Sequence, residues 1–186
     1  MTTTSAALRR TTIARYAAGS FGTGGFATLP GLVLVIYLTD TLGVSALWAG
    51  VLVTVAKVWD VVIDPVIGGR SDRDLAVTGS RRRFMVLGAI LLPIFFAVTF
   101  SVTPGLGPVA SGIWVMVAFL LAATAFSLFQ VPYIALPAEL TSDYNERTRL
   151  LSVRVVVLTL AILAFGAGGP ALRKAFGGES YEGYLG

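Results

Sequence analysis

The chain has 186 residues, of which 55 % are hydrophobic and only 13 % are charged, and its formal net charge is +4. Soluble domains carry about 25 % charged residues, so this composition excludes an ordinary soluble globular protein and predicts an all-α polytopic membrane protein. The sequence contains no cysteine and no histidine, which excludes disulfides, thiol chemistry, His-based catalytic triads and His-ligated metal or haem sites.

Five apolar segments are long enough to cross a bilayer, and each is predicted to form a transmembrane helix. The first follows a polar N-terminal arm with no cleavable signal pattern. A further apolar run, the start of a sixth span, is predicted at Tyr184. The five predicted spans are residues 17–42, 44–69, 84–103, 112–136 and 150–169.

Arginine and lysine cluster in alternate loops. Three arginines precede the first span, five lie between residues 70 and 83, and three lie between residues 147 and 154. The opposite loops hold only Arg173 and Lys174. The positive-inside rule therefore predicts a cytoplasmic N-terminus in a multi-pass protein of the cytoplasmic (inner) membrane. The same loop arginines account for the net positive charge, so no nucleic-acid partner is expected.

The second predicted span contains three ionisable residues, Lys57, Asp60 and Asp64. At ~100° per residue they fall on one face of a helix. A charge in the membrane interior costs at least ~2.5–3.5 kcal/mol and needs a partner or a water-filled cavity. Lys57 can neutralise only one carboxylate, so the other is expected to need a proton, a metal cation or another basic group. The alternative interpretation is a buried ion pair that only ties two helices together.

Other polar or small residues inside the predicted spans are few. Ser127 and Gln130 lie three residues apart and so share one face of the fourth span. The glycines of the first span, which include Gly24, allow close helix approach, and packing explains them more readily than a substrate path does. Asp143 and Glu146 have the spacing of a capping box, which predicts a helix start before the fifth span.

Two stretches carry recognisable motifs. The first reads KVWDVVIDPVIGGRSDR at residues 57–73 and is followed by GSRRR at residues 79–83. The second reads VPYIALPAELT at residues 131–141 and continues through ERTRL at residues 146–150 to Arg154. Together they resemble the glycoside-pentoside-hexuronide:cation symporters, the melibiose-permease-like branch of the major facilitator superfamily. The resemblance implies the N-terminal part of that fold, with five helices and the start of a sixth. The rest of the first six-helix half and the C-terminal half are then expected to be missing partners of the same transporter.

The resemblance also implies a coupling-cation site. Asp60 and Asp64 match the family's cation carboxylates and would hold a proton or sodium, while Lys57 matches a neighbouring basic residue. Ser127 stands where a hydroxyl can help to hold sodium. Ile63 replaces an asparagine that can serve sodium selectivity. Because the side chain of Ile63 has no oxygen, the sodium site loses one ligand, which favours coupling to a proton over coupling to sodium.

The implied substrate residues depart from the family pattern. Gly24 and Gln130 replace the two acids that bind sugar hydroxyls, Ile134 replaces the aromatic residue on which the sugar stacks, and Arg154 matches a basic residue near the site. A galactoside substrate is therefore not expected. The resemblance further implies a cytoplasmic gate made of Gly68, Asp72, Arg73, Arg81, Arg82 and Arg83.

The function predicted from the sequence is cation- or proton-coupled symport of a sugar or glycoside-like solute. A lysolipid or another amphipathic solute is the alternative substrate, and a non-transporting membrane scaffold is the alternative from another class. An enzyme is not expected, because a Ser–Lys dyad needs an uncharged lysine and two carboxylates near Lys57 favour its charged form. No cofactor is expected beyond the coupling ion.

Overall fold

The computed structural model describes residues 8–103 and 105–175, and the regular secondary structure in those ranges is entirely helical. Five helices in the described ranges are long and apolar enough to cross a membrane. The predicted start of a sixth span, at residues 184–186, lies outside the described residues. The helices are α1 (Arg10–Ile36, continued by a π-helical turn at Tyr37–Thr41), α2 (Ala46–Thr78), α3 (Arg82–Thr99), α4 (Pro108–Leu140) and α5 (Tyr144–Ala175).

Most helices extend beyond the predicted apolar spans, because a helix continues into its polar flanks until a residue stops it. In α2 that residue is Gly79, whose φ of 72° places it in the left-handed region and whose N–H donates to the Leu75 carbonyl at 2.8 Å. At the start of α5, the Asp143 side chain accepts a hydrogen bond from the Glu146 N–H at 2.9 Å. The predicted cap is therefore present, although the Glu146 carboxylate accepts from the Leu8 N–H instead of completing the capping box.

Contacts at small residues show how the helices pack. A Cβ added at Gly88 of α3 would lie 2.7 Å from the Ala125 carbonyl of α4, and the Trp114 indole donates to the Val98 carbonyl at 3.0 Å. The first contact comes earlier than the second along α3 but later along α4, so α3 and α4 are antiparallel neighbours. Helices α1 and α5 are parallel neighbours, since Gly24 lies against Ala161 and Gly169 lies against Leu29.

Two clusters of buried side chains close opposite ends of the helix bundle. One surrounds the π-helical turn and includes Leu34, Tyr37, Leu52, Phe100 and Val115. The other joins the start of α1 to α4 and α5 through Ile13, Tyr16, Tyr133 and Leu150. The charged face of α2 lies between these two ends.

Candidate cation and solute site

A cavity of about 260 Å³ lies between α1, α2 and α4. Its wall is largely apolar and includes Phe26 of α1 and Phe119 and Phe126 of α4. The charged groups in its lining come from α2 and are Lys57 and Asp60. Two ionisable side chains therefore lie at a pocket that is otherwise lined mainly by apolar side chains. An ionised group in such surroundings needs a partner.

In the middle of α2, Asp60 and Asp64 each have one carboxylate oxygen to which none of the described residues donates a hydrogen bond. These atoms are Oδ1 of Asp60 and Oδ1 of Asp64, and both are buried without a hydrogen-bond partner among residues 8–103 and 105–175. Within residues 8–103 and 105–175, no ion pair joins Lys57 to either carboxylate. Lys57, Asp60 and Asp64 also form no ion pair with another helix in those ranges, so the alternative weighed from the sequence, an ion pair that ties two helices together, is not formed there. A buried carboxylate oxygen without a donor is a place where a proton or a metal cation would be stabilised.

The register of α2 against α4 brings Ser127 to the depth of these carboxylates. The Trp59 indole donates to the Thr124 hydroxyl at 2.9 Å, and a Cβ added at Gly68 would lie 3.6 Å from Val131. Both contacts advance in the same direction along the two helices, which are therefore parallel. Ser127 lies between the two contact points, as the carboxylates do, and it is buried.

The side-chain oxygens near this site supply only some of the ligands that a small hard cation needs. Hard cations take oxygen ligands, and two carboxylates with a serine hydroxyl supply them. The described part of the chain holds no group of three or more His, Cys, Asp or Glu side chains that would make a denser metal site. A sodium ion would need further ligands, such as backbone carbonyls or water, whereas a proton needs one carboxylate.

The four residues expected at the solute site do not line this cavity. Gly24 is buried between α1 and α5, where a Cβ would lie 2.8 Å from Ala161 Cβ, so it is a close-packing position. Gln130 Oε1 is buried and has no hydrogen-bond partner in the part of the chain that the structure describes. Ile134 is 49 % exposed. The Arg154 guanidinium lies 5.4 Å from the centroid of the Tyr133 ring.

An ionic cluster with Arg81 at its centre lies at the C-terminal end of α2. It forms ion pairs with Asp72 of α2 and Glu139 of α4, and its Nη1 donates to Ser71 Oγ at 2.8 Å. Burial by itself lowers the pKa of the Arg81 guanidinium, but hydrogen bonds and charge attraction from Glu139 and Asp72 outweigh it and raise that pKa. The cluster ties the ends of α2 and α4 together.

The other residues of the implied gate contribute less to this cluster. Arg83 reaches Asp74 at 4.0 Å, while Arg73 and Arg82 are exposed and form no ion pair within the described residues. Sequence reasoning missed Ser71 and Glu139. Glu139 lies in the second recognised motif, which was the available signal for it.

Comparison with known proteins agrees with the fold. The family described as "MFS/sugar transport protein" matches residues 15–186. The chain is 35 % identical to the uncharacterized symporter sll1374 of Synechocystis over 89 % of this chain and 30 % of that protein. It is 33 % identical to the putative glycoside/cation symporter YagG of Escherichia coli over 83 % of this chain and 34 % of that protein.

A vertebrate relative matches more weakly. The sodium-dependent lysophosphatidylcholine symporter 1 of Xenopus tropicalis is 28 % identical over 70 % of this chain and 25 % of that protein. The chain thus spans about a third or less of the length of these relatives. Five helices of the described residues are long and apolar enough to cross a membrane, and the family match covers residues 15–186. The chain belongs to the MFS/sugar transport protein family, as its resemblance to cation symporters predicted.

Proposed function

We propose that the protein containing this chain is a secondary active transporter that couples a proton or sodium to the movement of a sugar or glycoside-like solute. The observation that carries the proposal is the pair of buried, unpartnered carboxylate oxygens of Asp60 and Asp64, with Lys57 bound to neither. The names of the bacterial relatives, which include a glycoside/cation symporter, support the same reaction class.

Coupling follows from the free energy of these carboxylates. Two ionised carboxylates on one helix face repel each other and are poorly solvated inside a membrane. A bound cation removes most of that cost and stabilises the conformation that holds it. If that conformation also binds the solute more tightly, each ligand raises the affinity for the other by the same factor. The cation gradient then drives solute accumulation.

The chain supplies one part of such a transporter. We propose that its N-terminus is cytoplasmic, that α1–α5 cross the cytoplasmic membrane, and that the partner lining the other side of the solute path is the remaining C-terminal part of the same transporter. The expected ligands are a small solute and the lipid bilayer, and no nucleic acid. Chemical catalysis is not part of the proposal.

A lysolipid or another amphipathic solute is the second candidate substrate. The specific observation that favours it is the apolar wall of the 260 Å³ cavity, which Phe26, Phe119 and Phe126 line with aromatic rings. Such a wall would accommodate an acyl chain as well as the flat face of a sugar. The relative from Xenopus tropicalis is named for a lysolipid, which agrees with this candidate.

The test is uptake by the full-length protein in proteoliposomes under an imposed sodium or proton gradient, with labelled methyl glycosides and lysophosphatidylcholine as solutes. Asp60→Asn and Asp64→Asn are each expected to abolish accumulation against a gradient. The matched control is Asp40→Asn. Asp40 is exposed, lies in the π-helical turn at one end of the bundle, and is expected to have no role in coupling. Unchanged accumulation in both carboxylate variants would remove these residues from coupling, and no uptake of any solute would favour a scaffold.

A further inference from the structure

A proline lies within α1 at the wall of the cavity that also contains Lys57 and Asp60. Pro30 is buried in the helix interior, and both Pro30 and Phe26 line the cavity of about 260 Å³. A proline has no N–H, so it cannot donate the helical hydrogen bond that the carbonyl four residues earlier would accept. For Pro30, that carbonyl belongs to Phe26. The Phe26 carbonyl therefore lacks its regular helix partner at the cavity wall.

Few other acceptors face this cavity. Among the residues that line it, Asp60 alone carries a side-chain oxygen, and all other lining side chains except Lys57 are apolar. None of the other lining residues has a proline four positions later, so their carbonyls keep a regular helix donor. A carbonyl that a proline leaves free inside a membrane is tolerated where it lines a cavity or meets another donor. Phe26 and Asp60 are thus the two residues of the lining that can accept from a cation.

Lys57 is the donor that needs such an acceptor. It lines the same cavity as Asp60, yet it forms no ion pair within residues 8–103 and 105–175. An ammonium group inside a membrane needs a partner or water. The Asp60 carboxylate can attract it while no coupling cation is bound. A cation held by Asp60 and Asp64 cancels that attraction and repels the ammonium, so Lys57 then needs a different partner.

We propose that the Lys57 ammonium takes the Phe26 carbonyl as its partner when the coupling cation binds to Asp60 and Asp64. Pro30 is then a positioning residue, because it keeps that carbonyl available. Without this acceptor, the ammonium would compete with the cation for the carboxylates. The exchange also joins α2 to α1 across the cavity in the cation-loaded state only. The inference rests on the proposed coupling function and describes how occupation of the cation site is transmitted to α1.

Other roles for Pro30 predict different behaviour. If Pro30 only bends α1, its replacement has the same effect whether residue 57 is lysine or not. If the Phe26 carbonyl binds the coupling cation itself, its loss weakens cation binding without Lys57 as well. In the proposed exchange, Pro30→Ala supplies an N–H that occupies the Phe26 carbonyl, and the effect depends on Lys57. A double-mutant cycle between positions 30 and 57 separates these roles.

The test is thermal unfolding of the full-length protein in nanodiscs. Asp60→Asn and Asp64→Asn are introduced together, because neutral side chains imitate the occupied site whichever cation is coupled and whichever solute is carried. In this background Pro30→Ala is expected to lower the melting temperature by about 2–4 °C more with Lys57 than with Lys57→Met, since only the lysine loses a charge-assisted hydrogen bond. With both carboxylates intact, in sodium-free alkaline buffer, this difference is expected to disappear.

A second measurement keeps the proposal testable where the double asparagine variant does not fold. It is the cation concentration that gives half-maximal solute uptake, for sodium and for protons. Pro30→Ala is expected to weaken cation affinity about tenfold in the protein with Lys57 and to leave it unchanged in the Lys57→Met protein. The same cycle of unfolding measurements is also made with Asp60→Asn alone.

The matched control is Pro93→Ala. Pro93 lies in the interior of α3 and lines a cavity of about 410 Å³ that has no ionisable side chain among its lining residues. Its replacement is expected to change stability equally with lysine and with methionine at position 57. Equal effects of Pro30→Ala in the two backgrounds overturn the inference. A difference that is as large with charged, unoccupied carboxylates, or a loss of cation affinity that persists in Lys57→Met, also overturns it.

The outcome is separable from that of the proposed function. The unfolding cycle needs neither solute nor transport, so an interaction between Pro30 and Lys57 in a protein without uptake supports the partner exchange and counts against transport. Cation-driven uptake without any interaction between the two residues supports transport and overturns the exchange.

Discussion

The indole N–H of Trp59 in α2 donates a hydrogen bond to the hydroxyl of Thr124 in α4 at 2.9 Å, and Trp59 immediately precedes Asp60 in the sequence. The Thr124 hydroxyl donates in turn to the Leu120 carbonyl at 2.8 Å, so its lone pairs remain free to accept from Trp59. A polar bond between two apolar helices fixes the rotation of α2 about its axis. That rotation decides whether the Asp60 carboxylate faces the cavity.

We expect Trp59→Phe to weaken binding of the coupling cation about fivefold, because the loss of one hydrogen bond of about 1 kcal/mol lets Asp60 turn away from its site. Thr124→Val removes the acceptor and is expected to have a similar effect. The double variant should be no worse than either single one, since both remove the same bond. The measurement is the cation concentration that gives half-maximal solute uptake.

The control for this pair is Trp48→Phe, which changes a tryptophan that is 66 % exposed. Strictly additive effects of the two changes on cation affinity would show that Trp59 and Thr124 act separately. Unchanged affinity in both single variants would show that the hydrogen bond does not position Asp60.

Gly24→Ala is expected to destabilise the contact between α1 and α5. The added Cβ would lie 2.8 Å from Ala161 Cβ and 3.1 Å from the Leu158 carbonyl, and such overpacking costs about 1–3 kcal/mol. Combining it with Ala161→Gly should recover part of the loss, because the closer of the two contacts disappears. Thermal unfolding in detergent measures both effects.

Gly31→Ala serves as the matched control, because a Cβ added at Gly31 meets nothing within 4 Å. A Gly24→Ala protein with unchanged thermal stability but lost solute affinity would contradict the packing assignment. It would return Gly24 to the solute site that the sequence resemblance implied.

The five long apolar helices of residues 8–103 and 105–175 and the charged face of α2 could be predicted from the sequence alone. Lipid offers the backbone no hydrogen bonds, so a long apolar segment inside a membrane must make them within itself, which a helix does. The side chains that share one face of a helix then follow from the helical period. For this reason Lys57, Asp60 and Asp64 could be assigned to one face, while the roles given to them remain predictions.

Contacts between helices could not be predicted in the same way. Arg81 pairs with Glu139, and Gly24 meets Ala161, across long stretches of chain. Such contacts depend on which helices are neighbours and how each is rotated, and both are decided by small residues on two helices at once. Nothing local at Gly24 distinguishes a packing glycine from one that replaces a substrate residue. The period of a single helix contains no information on its partner.

Removing the guanidinium of Arg81 is expected to loosen the joined ends of α2 and α4. Arg81→Gln breaks ion pairs with Asp72 and Glu139, and because both acids are partly solvated the loss in unfolding free energy should be about 1–2 kcal/mol. An arginine is charged at neutral and mildly alkaline pH even at its ordinary pKa, and the raised pKa of Arg81 does not change this. Its contribution to stability is therefore expected to be equal at the two pH values, because it is lost only as pH rises through that pKa. Thermal unfolding at neutral and mildly alkaline pH measures both points.

Arg82→Gln is the matched control for Arg81, since Arg82 is its exposed neighbour and has no ion pair within residues 8–103 and 105–175. Equal effects of the two variants on unfolding would show that general surface charge, not the contacts of Arg81, stabilises this end. A destabilisation by Arg81→Gln that disappears at mildly alkaline pH would show that the charge of Arg81 is not its source.

The 186 residues contain no cysteine. In a full-length transporter whose other cysteines have been replaced, single introduced cysteines can therefore report the orientation of this part. Ser80 lies between α2 and α3, Thr103 lies between α3 and α4, and both are exposed. If the arginine-rich loops are cytoplasmic, a membrane-impermeant maleimide added to intact cells should label Thr103→Cys and not Ser80→Cys. Opening the membrane should make Ser80→Cys equally reactive. The reverse pattern in intact cells would invert the topology, and the ionic cluster of Arg81 would then lie on the outer side, where it could not act as a cytoplasmic gate.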